Sequence, residues 1–326
     1  SHPGHLGGRD DQGRGRDLLR VARTILIVVP NTAIHPGLRS VARFVPRKLI
    51  SRWTLPMLRG LAALQRPATE GVEVLRLPSG VGIRLHRPKD AGGGRGPALL
   101  WMHGGGYVMG SPAQDDVLCR RFADALGVTV AAVQYRLAPE HPYPASLEDC
   151  YTGLQWLAGL PAVDPDRIAI GGSSAGGGLA AALALLVRDR GEFTPMLQLL
   201  VYPMLDDRSV GTHLDDLGHR LWNATSNRFG WQSYLGGADP EVAVPARRTD
   251  LAGLPPAWLG VGTLDLFHDE DLDYAGRLQA AGVPCEVHVT PGAFHGFDGI
   301  APKASISRAF FDSQCASLRQ AITGAG

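Results

Sequence analysis

The chain has 326 residues and a mass of 34.7 kDa, more than the roughly 100 to 200 residues of one ordinary domain but within reach of one large α/β unit with an appendage. Hydrophobic residues make up 44% and charged residues 19%, with Gly 42 and Pro 24 spread along the chain, which excludes a collagen-like or a disordered protein. Lys+Arg 32 against Asp+Glu 31 leaves a net charge of +1, so no basic excess is available for a phosphate backbone and nucleic acid is not expected as a partner.

In chain order, residues 1–16 are rich in Gly and Arg and read as a disordered lead-in or a remnant of cloning. The apolar run 24–29, which ends at Pro30, is far short of the ~20 residues that cross a bilayer, so no membrane span is expected. No small-residue cleavage site follows it, which makes a cytoplasmic location the expectation. From residue 17 to about 66 the sequence is apolar and studded with Arg. Trp53, Leu55, Met57, Leu58 and Leu61 recur at roughly helical spacing, predicting one or two amphipathic helices lying over another part of the protein.

Residues 72–77 and 81–86 predict two strands around the turn Pro78-Ser79-Gly80, and 92–96 a flexible connection. Short apolar runs bounded by Gly or Pro then predict strands at 98–102, 128–134, 167–171, 196–202, 257–262 and 284–290. Helical patterns fill 113–126, 146–157, 177–190, 269–281 and 304–322. Near-continuous apolar strands alternating with helices predict an α/β fold with a mostly parallel sheet covered on both faces. Residues 205–249 break the alternation, being polar with Trp222, Phe229, Trp231 and Tyr234 scattered through, and read as an insertion that could fold beside the N-terminal helices. Cys119, Cys150, Cys285 and Cys315 stand far apart with no Cys/His cluster at zinc spacing. They read as buried thiols, and no metal is expected.

Three segments carry chemistry. The strand ending at Gly171 runs into Gly172-Ser173-Ser174-Ala175-Gly176 and then a small-residue helix, a G-x-S-x-G pattern in a strand-turn-helix context. Such a turn holds its central Ser at positive φ and needs glycines two residues to either side, so that strand and helix pass without collision. Directly after the strand 98–102 comes His103-Gly104-Gly105-Gly106, whose glycines let backbone N–H groups approach a substrate carbonyl and, with the N–H of Ala175, form an oxyanion hole. Past the strand 257–262 stands Asp265, and past the strand 284–290 stands His295 in Phe294-His295-Gly296-Phe297. The order Ser174, Asp265, His295 is that of a hydrolase triad. Asp265 also reads as a helix N-cap, and Asp269 or Glu270 are alternatives for the acid.

Together with Tyr135-Arg136-Leu137-Ala138-Pro139-Glu140-His141-Pro142-Tyr143-Pro144, these motifs resemble the hormone-sensitive-lipase-like esterases, also called family IV, over roughly residues 70–320. The resemblance implies an α/β-hydrolase core with a helical cap, no cofactor, hydrolysis of short- to medium-chain carboxylic esters, and a homodimer as the form to expect. It implies Ser174, His295 and Asp265 as the triad, and Gly105, Gly106 and Ala175 as oxyanion donors. His103, Gly104, Gly172 and Gly176 support the two loops. It divides the chain into 1–70, an N-terminal segment with cap helices, and 71–326, the catalytic domain, with 205–249 as a further cap insertion. Ser173, Gln134 and Leu266 depart from the residues common in the family.

The same triad serves an amidase or a lactonase. A rival of another class is a non-catalytic ligand-binding protein on the same fold, like the plant gibberellin receptor, but that protein lacks the triad His. An interfacial lipase is disfavoured because no large exposed apolar lid helix is evident in the sequence.

Overall fold

A computed structural model of the chain describes residues 33–47, 50–64, 70–89, 94–209 and 219–324. The expectations for 1–16, for the apolar run 24–29 and for part of the insertion, 210–218, lie outside the described residues.

Among the described residues eight strands form one sheet: β1 (Glu73–Arg76), β2 (Gly82–His86), β3 (Gly96–Met102), β4 (Thr129–Gln134), β5 (Val163–Ser173), β6 (Leu197–Val201), β7 (Ala257–Gly262) and β8 (Cys285–Thr290). Their order is β1-β2-β4-β3-β5-β6-β7-β8. β2 runs antiparallel to β1 and to β4, and the six strands from β4 to β8 are parallel. The central strands read as unbroken apolar runs because both faces are covered. Leu99 to Met102, Val130 to Val133 and Leu199 to Leu200 are all at most 1% exposed.

The helices are α1 (Arg39–Ala42), α2 (Leu55–Leu64), α3 (Asp116–Leu126), α4 (Ala145–Ala158), α5 (Ala175–Arg190), α6 (Ala224–Leu235), α7 (Pro240–Ala243), α8 (His268–Ala280), α9 (Phe297–Ile300) and α10 (Ser305–Gly324). Chain direction in the sheet reverses at β3: β3 to β4 steps one way, while β4 to β5 steps back over it. With right-handed crossovers the reversal places α3 on one face and α4 and α5 on the other. Accordingly α3 packs on α10, and α4 packs on α5. Helices on opposite faces leave a crevice at the carboxyl ends of β3 and β5, where open α/β sheets bind ligands. Met102 and Gly172 are register partners there, so the loops that follow the two strands start side by side.

The N-terminal segment and the insertion are joined by hydrogen bonds. Leu221 N–H donates to Pro46 O at 2.9 Å, Ser226 Oγ to Ile50 O at 3.1 Å, and Asn223 Nδ2 to Arg47 O. Asn223 also caps α6 by accepting from Ser226 N–H. The helical pattern read around residues 53–61 divides: Leu55 is buried, whereas Trp53, Met57 and Leu61 are exposed. α2 is tied to the core through Arg59, which donates to Val108 O at 2.7 Å, Ala138 O at 2.7 Å and Glu140 Oε1 at 2.6 Å. No described helix is long and apolar enough to cross a membrane.

Two ties hold the loops above the sheet. Arg136 grips Asp149 of α4 with Nε and Nη2, and its backbone N–H joins the same carboxylate at 2.8 Å, fixing the segment that follows β4. Glu270 of α8 accepts from Leu205 N–H at 2.8 Å and Asp206 N–H at 3.2 Å, binding the loop after β6 to the helix after β7. Burial pushes the Glu270 carboxyl up to about 8.

Replacing Arg59 by Ala removes three charge-assisted contacts, each worth about 1.5–3 kcal/mol at most. Hydrogen exchange is expected to accelerate across α2 at least tenfold while β3 to β7 keep their protection; unchanged α2 exchange would refute the anchoring role. For Glu270 the folded-state value lies above the unfolded one, so its contribution to stability is full below the unfolded value and is lost as pH rises through about 8. Glu270→Gln, neutral at every pH and retaining an acceptor oxygen, should flatten the fall in Tm between pH 5 and pH 8.5 by a few degrees, as read by scanning calorimetry.

Candidate active site

Ser174 stands between β5 and α5 with φ 57 and ψ −120, the left-handed side of the map for a residue with a side chain. Such a conformation costs on the order of 1–3 kcal/mol and persists only when its surroundings dictate it. Here they do. Ser174 N–H donates to Val201 O at 2.9 Å, and Ser174 O accepts from Met204 N–H at 2.9 Å and from Gly178 N–H at 3.0 Å. The glycines of the pattern are steric necessities: a Cβ on Gly176 would lie 2.0 Å from Met102 O, and one on Gly172 would lie 2.4 Å from Gly176 O.

The hydroxyl at the tip of this turn meets His295 Nε2 at 2.9 Å, and His295 Nδ1 meets Asp265 Oδ2 at 2.8 Å. All three residues are at most 6% exposed. Asp265 Oδ1 accepts from Phe267 N–H at 3.0 Å, so the cap-like bond and the bond to His295 use different oxygens of one carboxylate. The structure thus brings Ser174, Asp265 and His295 together from the carboxyl ends of β5, β7 and β8. It separates the two alternative acids from them. Asp269 is exposed and bonds His268 Nδ1 at 2.7 Å, and Glu270 is engaged with the loop after β6.

The His103 loop leaves β3 beside the turn. Gly105 and Gly106 have φ 132 and 59, and a Cβ on Gly106 would lie 2.0 Å from the Trp222 ring. His103 is fully buried and stacks on Tyr135 with ring centroids 4.2 Å apart. Its Nδ1 lies 2.8 Å from Gly104 O, and Tyr135 O–H donates to His103 O at 2.7 Å. Burial holds the imidazole down at about 4, so near neutral pH it is an uncharged strut that donates to the Gly104 carbonyl. Gln114 Nε2 donates to the same carbonyl at 3.3 Å. That oxygen is thereby engaged from two sides. Among the described residues no group accepts from the N–H of Gly105, Gly106 or Ala175. Three donors are therefore free beside a serine hydroxyl, which is what an acyl-transfer site needs to hold developing negative charge.

Sequence reasoning missed several residues. Tyr202 (φ 35) sets its ring edge-on to His295 at 4.9 Å and donates to Asp298 Oδ1 at 2.8 Å, and Phe267 closes another side of the imidazole at 5.1 Å. From the insertion, Leu221 reaches within 2.8 Å of where a Cβ on Gly296 would stand, next to His295, while Trp222 covers Gly106. Tyr202 ends a predicted strand and carried no motif. Leu221 and Trp222 fall in a stretch without periodicity. Of the departures from the family pattern, Gln134 is exposed on the sheet and Ser173 and Leu266 are half-buried; none enters the Ser174–His295–Asp265 chain of hydrogen bonds. No group of three or more His, Cys, Asp or Glu positioned to hold a metal ion occurs among the described residues.

Comparison with known proteins agrees with this geometry. The family profile described as alpha/beta hydrolase fold matches residues 99–299. The chain is 37% identical to Esterase LipI of Mycobacterium tuberculosis over 234 residues, 69% of this chain and 73% of that protein. It is 38% identical to Carboxylic ester hydrolase LipN of the same organism over 237 residues, 68% of this chain and 62% of that protein. Among solved structures, a bacterial heroin esterase superposes with a TM-score of 0.78 at 35% identity, covering 89% of this chain and 98% of that one. A sheet with these loops at its carboxyl edge, matched in profile, sequence and structure, shows that the chain belongs to the hormone-sensitive-lipase-like esterases of the alpha/beta hydrolase fold.

Proposed function

We propose that the protein is a serine carboxylic ester hydrolase that cleaves short- to medium-chain acyl esters through an acyl-enzyme on Ser174. The observation that carries the reading is the unbroken path from Ser174 Oγ through both nitrogens of His295 to Asp265 Oδ2, at 2.9 and 2.8 Å.

In this mechanism His295 Nε2 takes the Ser174 proton as Oγ attacks the ester carbonyl. Asp265 keeps the Nδ1 proton in place and stabilises the imidazolium. The tetrahedral oxyanion accepts from Gly105, Gly106 and Ala175 N–H, a stabilisation of about 3 kcal/mol per donor. The alcohol leaves with the proton from Nε2, and water repeats the sequence on the acyl-enzyme, returning Ser174 and releasing the acid. Nothing in these steps calls for a cofactor. The presence of His295 favours turnover over a pure binding role.

The N-terminal helices and the insertion form the cap in this reading, an assignment supported by the hydrogen bonds between residues 42–50 and 220–226. Leu221 and Trp222 would then set the width between the His295 loop and the glycine loop. A cytoplasmic setting fits four cysteines that are all unpaired thiols. A homodimer would carry two complete sites, since every group named comes from one chain.

The deciding measurement is the initial rate on p-nitrophenyl butyrate, with acyl-enzyme sought by mass after a short quench. Ser174→Ala should fall to background, and Asp265→Asn should lose about 10⁴-fold in kcat because the imidazole takes the wrong tautomer. Both variants should keep the wild-type Tm within a few degrees. A folded wild type inert toward acetate, butyrate and octanoate esters alike would sink the proposal.

A further inference from the structure

No large exposed apolar lid helix is evident in the sequence, but α2 carries a narrow exposed apolar stripe. Trp53 is 77% exposed, Met57 60%, Leu61 55% and Leu64 79%. Helical bonding begins before α2, with Leu55 N–H donating to Ser51 O at 2.9 Å and Leu58 N–H to Thr54 O at 3.0 Å, so Trp53 belongs to the same turn sequence. Positions 53, 57, 61 and 64 are spaced by four, four and three, which aligns them on one face over roughly 16 Å of helix. The opposite face holds the helix down through Leu55 and the three bonds from Arg59. An outward apolar stripe on a helix whose other side is anchored is a contact surface rather than unsatisfied core.

Charge identifies the occupant. Residues 33–69 contain six Arg, one Lys and no Asp or Glu, whereas the whole chain carries only +1, so the rest of the chain is net negative. The cations stand beside apolar groups: Arg52 lies over the exposed Trp53 ring at 4.4 Å, and Arg43 over Phe44, itself 81% exposed, at 5.7 Å. A second copy of the chain seated face to face would oppose two identical basic surfaces. The chain's own residues 18–32 bring Arg20 and Arg23 and no acid, so they too add like charge. Between Met57 and Leu61 stand Leu58, Arg59 and Gly60, and Arg59 is spent on the core, so the stripe itself carries no hydrogen-bonding side chain to specify a protein partner. An apolar stripe with a Trp, flanked by arginines, suits the boundary between headgroups and acyl chains of an anionic bilayer.

We infer that the outer face of α2, from Trp53 to Leu64, docks the protein on the surface of anionic phospholipid membranes, with Met57, Leu61 and Leu64 entering the acyl boundary and the exposed Arg43 and Arg52 meeting the headgroups. Docking is independent of ester hydrolysis, and a Ser174→Ala chain is expected to bind like the wild type.

The test is co-sedimentation of the full chain with vesicles of phosphatidylglycerol and phosphatidylcholine, against vesicles of phosphatidylcholine alone. The wild type should bind the anionic vesicles at least tenfold more tightly, and 0.5 M NaCl should weaken that binding. Met57→Glu with Leu61→Glu should abolish at least nine-tenths of it, with Tm and the rate on p-nitrophenyl butyrate unchanged within twofold. Arg43→Gln with Arg52→Gln should reduce the preference for anionic lipid. Absence of wild-type binding, or binding indifferent to the Glu substitutions, overturns the inference. So does a wild-type dimer in solution that the Glu substitutions convert to monomer without any vesicle binding, which would give the face to a second copy.

Discussion

The organisation of the site depends on one strained residue. A serine at φ 57 and ψ −120 is unfavourable by itself, and the turn exists because strand, helix and neighbouring loop leave its backbone no other course. Val201 and Met204 fix its amide and carbonyl, and the close approach of Gly176 to Met102 O fixes the start of α5 against β3. The strain has a chemical use. It presents the hydroxyl to His295 and starts α5 at Ala175, whose amide has no acceptor among the described residues.

Pre-organisation extends outward in layers that share few atoms. His103 is buried and uncharged, held between Tyr135 and the Gly104 carbonyl, and so it shapes the oxyanion loop without adding a charge that would follow pH near neutrality. Arg136 and Asp149 stiffen the segment that carries Tyr135, and Glu270 joins the loop behind the nucleophile to the helix behind Asp265. The Arg136 and Glu270 ties each join a loop at the carboxyl edge of the sheet to a flanking helix. Geometry at the reacting atoms therefore rests on the rigid sheet rather than on the cap.

The cap has a different character. The two segments proposed to form it are joined to each other by hydrogen bonds between residues 42–50 and 220–226 and to the core through Arg59, a half-buried side chain, and α2 turns an apolar face away from the molecule. The N-terminal segment, residues 33–69, is basic and apolar, whereas the rest of the chain is net negative. Two surfaces with separate physical demands are thereby carried by two parts of one chain. The inner one excludes water around a triad, and the outer one tolerates contact with a nonaqueous phase.

How much of this was legible in the sequence follows from the range of the interactions involved. Apolar runs, turn residues and helical patterns predicted the eight strands to within a few residues, because burial on both faces leaves a local signature at each central strand and a Pro-Ser-Gly turn marks the exposed first hairpin. Ser174, His295 and the glycines after His103 announced themselves, since a turn that admits only glycine at fixed offsets is a local constraint. What the sequence alone could not decide was pairing across space. That Asp265 and not Asp269 or Glu270 faces His295 is set by where a carboxylate falls on the turn after β7, a difference of a few residues that turns Asp269 to solvent and Glu270 to the loop after β6. That Leu55 turns inward while Met57 and Leu61 turn outward is decided by Arg59 finding three acceptors more than 40 residues away. Tyr202, Leu221 and Trp222 reach the site through packing between segments with no local pattern of their own. Local backbone demands are written in the order of residues; the partners of a side chain are chosen only when the sheet brings distant loops to one edge.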